Sequence, residues 1–145
     1  MSAFDTFLQS VLERAEAEAR QEGSATIEAR HLLLAIAARD PGAAGLDYQR
    51  VKDALRGEFE HSLGSAGVSP GVPPTPTRDP GRRPRLGTTF KLAMERMAAE
   101  HRKRDLRPEH LLLGILQAEA GTVPRALALA GIDRAELIER VRSTL

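Results

Sequence analysis

The chain has no cysteine, no tryptophan, a single tyrosine, and only 3% aromatic residues among its 145 positions. Without cysteine, neither a disulfide framework nor a thiolate metal site can exist. With so few rings, leucine and alanine must fill the core. That suits helices and argues against the β-branched, aromatic-rich make-up of a sandwich or barrel. Long hydrophobic runs are also missing: no stretch reaches the roughly 20 apolar residues that span a bilayer. The opening MSAFDTFLQSVLERAEAEAR is amphipathic and acidic, with neither the basic start nor the apolar run of a signal peptide, so the cytoplasm is the expected compartment. There is no G-x-S-x-G, no G-x-x-x-x-G-K-[ST] phosphate loop and no paired catalytic motif. The expectation is a protein that is not an enzyme and holds no cofactor or metal.

Hydrophobic residues still make up 41% of the chain, enough for a core, and the net charge is only +1. The charge is divided unevenly. Residues 1–63 carry 7 Lys+Arg against 11 Asp+Glu, and residues 64–145 carry 14 against 9. Within the second half, residues 78–107 hold ten basic and four acidic side chains.

One segment interrupts the helical patterning. Gly64 to Pro84 contains six of the nine prolines and four glycines. Proline fixes φ and removes a backbone donor, so this stretch reads as an exposed, partly polyproline linker. The segments on either side resemble each other. A shift of 79 residues places His31-Leu32-Leu33-Leu34 on His110-Leu111-Leu112-Leu113, and aligns Glu16 with Glu95 and Ala19 with Ala98. An internal repeat of this kind outranks any local assignment. The expected organisation is a first repeat over 1–63, a linker over 64–84 and a second repeat over 85–145.

Inside each copy the period is helical. Phe4, Phe7, Leu8, Val11, Leu12, Ala15 and Ala19 recur at i, i+3, i+4 and i+7, and Leu86, Phe90, Ala93, Met94, Met97 and Ala98 answer them in copy two. The HLLL segments are apolar nearly all round and read as buried second helices. Pro108 suits a first helical position. Thr122 is a candidate N-cap, Gly131 a stop, and Asp133 with Glu136 a capping box ahead of a last helix carrying Leu137, Ile138, Val141 and Leu145. In copy one, His31 to Asp47 spans 16 residues where His110 to Asp133 spans 23, so its third helix should be cut to a turn or lost. Its last helix, around 47–63, keeps Val51, Leu55 and Phe59 in phase. The expected fold is all-α: two pseudo-twofold-related repeats of about four short helices each, the first shortened, packed as one domain.

The layout of Phe4, Val11, Leu12, Ala15, Ala19 and His31 to Leu34, in two copies of a repeat that share the HLLL helix and are joined by a linker, resembles the amino-terminal repeat domain of Clp unfoldases, which is expected here standing alone without ATPase modules. That resemblance implies a protein–protein interaction module of the Clp proteolysis system, an adaptor, decoy or regulator whose partners are Clp components, adaptors or substrate proteins. In one branch of the family each repeat is similar to F-T-x(24)-E-H and binds phosphoarginine: the Glu takes the guanidinium and the Thr helps hold phosphate at a helix N-terminus. Copy two keeps Glu109 at the Glu position but has Pro84 for the Thr, with Arg83 and Arg85 as candidate substitutes for the lost donor. Copy one has Arg30 and Asp5 there, each of the wrong sign, so the resemblance implies a degraded site in copy two alone.

Two other patterns need weighing. His31 and His110 lack a second metal ligand at i+3 or i+4, so each reads as a structural histidine bonding local backbone. The basic 78–107 region offers an alternative function as a small helical nucleic-acid-binding protein. Stacking aromatics are absent and the total charge is near neutral, which favours a solvated face or a surface complementary to an acidic partner. No membrane partner is expected.

Overall fold

A computed structural model describes residues 2–39, 45–65, 83–100 and 105–145. Among them are seven helices: α1 (Ala3–Glu22), α2 (Ala29–Arg39), α3 (Tyr48–Ser65), α4 (Thr88–Glu100), α5 (Pro108–Leu116), α6 (Thr122–Leu129) and α7 (Arg134–Arg142). The expected all-α class stands, with one addition. Two-residue strands β1 (Thr26–Ile27) and β2 (Arg85–Leu86) pair in parallel, through Arg85 N–H to the Ala25 carbonyl and Gly87 N–H to that of Ile27. Most of the 64–84 linker lies outside the described residues. Its two ends do not: α3 continues through Gly64 to Ser65, and Pro84 is buried. The shortened third helix of copy one falls on residues 40–44, also outside them.

The helix limits follow from local chemistry. Ser2 caps α1, accepting from the Asp5 N–H while Asp5 accepts from the Ser2 N–H. Gly23 ends α1 at φ 78, and the Ser24 N–H reaches back to the Ala19 carbonyl, a closure that favours a residue without Cβ. Gly131 ends α6 in the same way, and Asp133 caps α7 by accepting from the Glu136 N–H. Pro108 opens α5 as expected. Thr122 is not a cap: it is the first helical residue of α6, and Gly121 at φ 112 precedes it.

A single core runs through both repeats, with α2 and α5 at its centre. Every residue from His31 to Ala37 and from His110 to Leu116 is buried. Phe7, Val11, Ala15 and Ala19 of α1 and Phe90, Ala93 and Met97 of α4 cover these helices from either side. A Cβ added at Gly114 would fall against the Ala93 carbonyl oxygen, so α4 and α5 approach backbone to backbone there.

Three expected core positions lie elsewhere. Helix α3 buries Val51, Ala54 and Glu58, leaving Phe59 44% exposed. The helix is turned because Glu58 meets Arg125 of α6 at 2.9 Å and takes a hydrogen bond from Ser62, so its carboxylate is satisfied on the inner face. Leu86 belongs to β2 and Leu145 lies past the end of α7, and both are about half exposed.

Candidate functional site

The two second-helix starts are the places where the repeats carry comparable polar residues. In each, a buried histidine accepts from the backbone three residues earlier: Glu28 N–H to His31 Nδ1 and Arg107 N–H to His110 Nδ1, both 2.8 Å. The histidines therefore help close the first turn by bonding local backbone. With Nδ1 accepting, the His31 Nε2–H donates to Glu22 Oε2 at 2.8 Å.

Around this shared histidine the repeats diverge. Arg30 is not free to meet a ligand. Its guanidinium donates to both Glu22 oxygens, at 2.6 and 3.3 Å, so Glu22 joins Arg30 and His31. Burial alone would raise the Glu22 pKa. The hydrogen bonds from His31 and then Arg30, with the Arg30 charge, outweigh it and hold the carboxyl at about 2. At the matching place in repeat two, Glu109 lies in the first turn of α5, half-buried, with no hydrogen bond or ion pair among the described residues. Repeat one thus presents a neutralised cluster and repeat two an open carboxylate.

The other two sequence candidates are not assembled with Glu109. Arg83 donates to both carboxylate oxygens of Glu16 on α1, at 3.1 and 3.2 Å, and the Glu16 pKa falls, first through that hydrogen bond. Arg85 is exposed in β2. No hydrogen bond or ion pair joins either arginine to Glu109 among the described residues. Asp5 occupies the first turn of α1 with its own capping bond, which places negative charge where a phosphate would need donors. Of the basic 78–107 run, residues 78–82 and 101–104 lie outside the described residues.

Sequence reasoning missed the seam between the repeats. The Ala29 N–H at the start of α2 donates to the Thr89 hydroxyl of α4 at 2.9 Å. Beside it a Cβ on Gly87 would fall on the Glu28 carboxylate, whose Oε1 is buried and unpaired. A side chain at Gly87 would have to displace that carboxylate, the free end of a flexible side chain. Residues sixty apart in sequence make this seam, and no periodicity signals it. Among the described residues no group of three His, Asp or Glu side chains could hold a metal, and no helix is long and apolar enough to cross a membrane.

Two helical repeats, each with a buried HLLL helix started by a backbone-bonding histidine, define the architecture of a Clp amino-terminal domain. The structure matches the crystal structure of the N-terminal domain of the caseinolytic protease associated chaperone ClpD from Arabidopsis thaliana with a TM-score of 0.66, over 93% of this chain and 89% of that one, at 18% identity. At that identity the match speaks for the fold alone. Residues 85–145 match the family model described as the Clp repeat (R) N-terminal domain. No curated protein matches the sequence.

Proposed function

We propose that this chain is a protein–protein interaction module of the Clp proteolysis system, acting in the cytoplasm as an adaptor, decoy or regulator through the shape of an unfoldase's receiving domain. The observation that carries the reading is the Clp repeat match at 85–145 within a two-repeat fold that follows a Clp amino-terminal domain over 93% of the chain. The buried surface of α2 and α5 is spent on the core, and the polar residues at their starts form no constellation for bond making. Recognition is the chemistry left to such a module.

Phosphoarginine recognition does not extend to repeat one in this reading. Arg30 is bound to Glu22, and Asp5 opposes an anion at the start of α1. Repeat two retains Glu109 as a half-site, without Arg83, which is engaged by Glu16. Each absent charge-assisted hydrogen bond should weaken binding by about 1.5–3 kcal/mol, roughly tenfold to a hundredfold. Calorimetry with free phosphoarginine tests this: one weak site abolished by Glu109→Ala is the half-site result, and two micromolar sites would overturn it.

The wider reading is tested by capture of Clp components from the native cytoplasm at moderate salt, identified by mass spectrometry. Duplex DNA binding that falls steeply with salt, with no Clp component retained, would instead favour the nucleic-acid alternative.

A further inference from the structure

Repeat one has an open groove. It lies between α1 and α2, encloses ≈ 400 Å³, and is lined by Ser10, Glu13, Arg14, Ala35, Ala38 and Arg39. The positions run i, i+3, i+4 on each helix, so one face of α1 looks across at one face of α2. Small alanines make the floor and charged side chains make the rim. At the six positions that a 79-residue shift assigns to repeat two there is no charged residue. There Gly114 replaces Ala35, and a Cβ at Gly114 would meet the Ala93 carbonyl oxygen of α4.

The two guanidiniums on the rim are held in place before any ligand arrives. Arg39 donates to the Ser10 hydroxyl at 2.6 Å and lies 5.3 Å from the centre of the Phe7 ring, with no carboxylate partner among the described residues. Arg14 lies 5.2 Å from the centre of the Tyr48 ring and is anchored on the buried Glu18 at 3.0 Å. A guanidinium fixed on a ring keeps its remaining donors in one plane and loses little freedom when a carboxylate docks. Glu13, between them on α1, is exposed and has no partner among the described residues.

We infer that this groove binds a mixed-charge segment of a partner protein, with a carboxylate side chain of the segment received by Arg39, a second acidic residue at Arg14, and a neighbouring basic residue at Glu13. The inference rests on the interaction-module reading and names the chemistry of one partner site. Free anions match it poorly, because Glu13 repels them and the alanine floor offers no further donor.

The test is an amide-shift titration of the full chain, by nuclear magnetic resonance, with a Gly/Ser decapeptide carrying a central Glu-Glu-Lys triad. Shifts centred on Ser10, Glu13, Arg14 and Arg39 are expected. Affinity should fall about a hundredfold when both peptide glutamates become Gln, and about tenfold for Arg39→Gln, with Arg39→Lys between, at about tenfold for each charge-assisted hydrogen bond. The Gln peptide needs no protein variant, so misfolding of an Arg39 variant leaves the result decided. Equal binding of the two peptides, an unperturbed groove, or the same shifts from inorganic phosphate or an oligonucleotide would overturn the inference. Clp capture that persists while the peptide fails to bind overturns the groove alone; groove binding with no Clp capture overturns the wider reading alone.

Discussion

Leu33 and Leu112 occupy matching places in the repeats, at 1% and 2% exposure. Truncating either to Ala removes apolar area and leaves a cavity, so each should cost about 2–5 kcal/mol; urea unfolding reads the loss directly. The Glu22 carboxyl makes a different kind of prediction. Its folded pKa of about 2 lies below its ordinary 4.5, so its stabilisation is fully present above about pH 4.5 and is lost as pH falls towards 2. Urea midpoints between pH 5 and 2 should therefore fall less steeply in Glu22→Gln than in the parent. An identical slope in both would show that Arg30 and His31 do not hold the carboxylate charged. At this scale the sequence was readable where a residue answers to its neighbours in the chain. The two histidines, Pro108 and Asp133 act within a few positions of themselves. The Arg83 partner, Glu16, is 67 residues away, and nothing in the local pattern selects it.

Among elements, α4 and α5 come close at Gly114. Gly114→Ala would raise intrinsic helix propensity by about 1 kcal/mol. The added methyl, however, meets a backbone carbonyl that cannot rotate away, and overpacking of that kind costs about 1–3 kcal/mol. A net loss of stability is expected, checked by thermal melting, whereas Gly57→Ala on α3, with open space around it, should be neutral or stabilising. The same scale shows where hydrophobic periodicity misleads. Val51, Leu55 and Phe59 follow an i, i+4 stripe, yet α3 buries Val51, Ala54 and Glu58. A buried glutamate with a partner on another helix is indistinguishable, in sequence, from a solvated one. Strands β1 and β2 are equally silent, since two residues each leave no period to read.

For the whole molecule, duplication explains most of what could be foreseen. Two HLLL segments 79 residues apart predict two like buried helices, and α2 and α5 carry them. How they share a core could not be foreseen, because that depends on α3 of repeat one packing on α6 of repeat two and on the Glu28–Gly87–Thr89 seam. The shared core predicts one cooperative transition. Far-ultraviolet circular dichroism and the signal of the single tyrosine, Tyr48 at the start of α3, should report coincident urea unfolding curves. Two separated transitions would show that the repeats fold independently.

The strand pair has a consequence for how such a protein can be divided. Arg83, β2 and Thr89 fasten the start of repeat two onto repeat one before its first helix is complete, and Arg125 fastens α6 onto α3. Chain continuity between the repeats then adds effective concentration more than structure. Two separately made polypeptides, 1–65 and 83–145, should find each other and assemble as a heterodimer, each incomplete without its mate. In those terms the molecule is a pseudo-symmetric dimer that happens to be written as one chain.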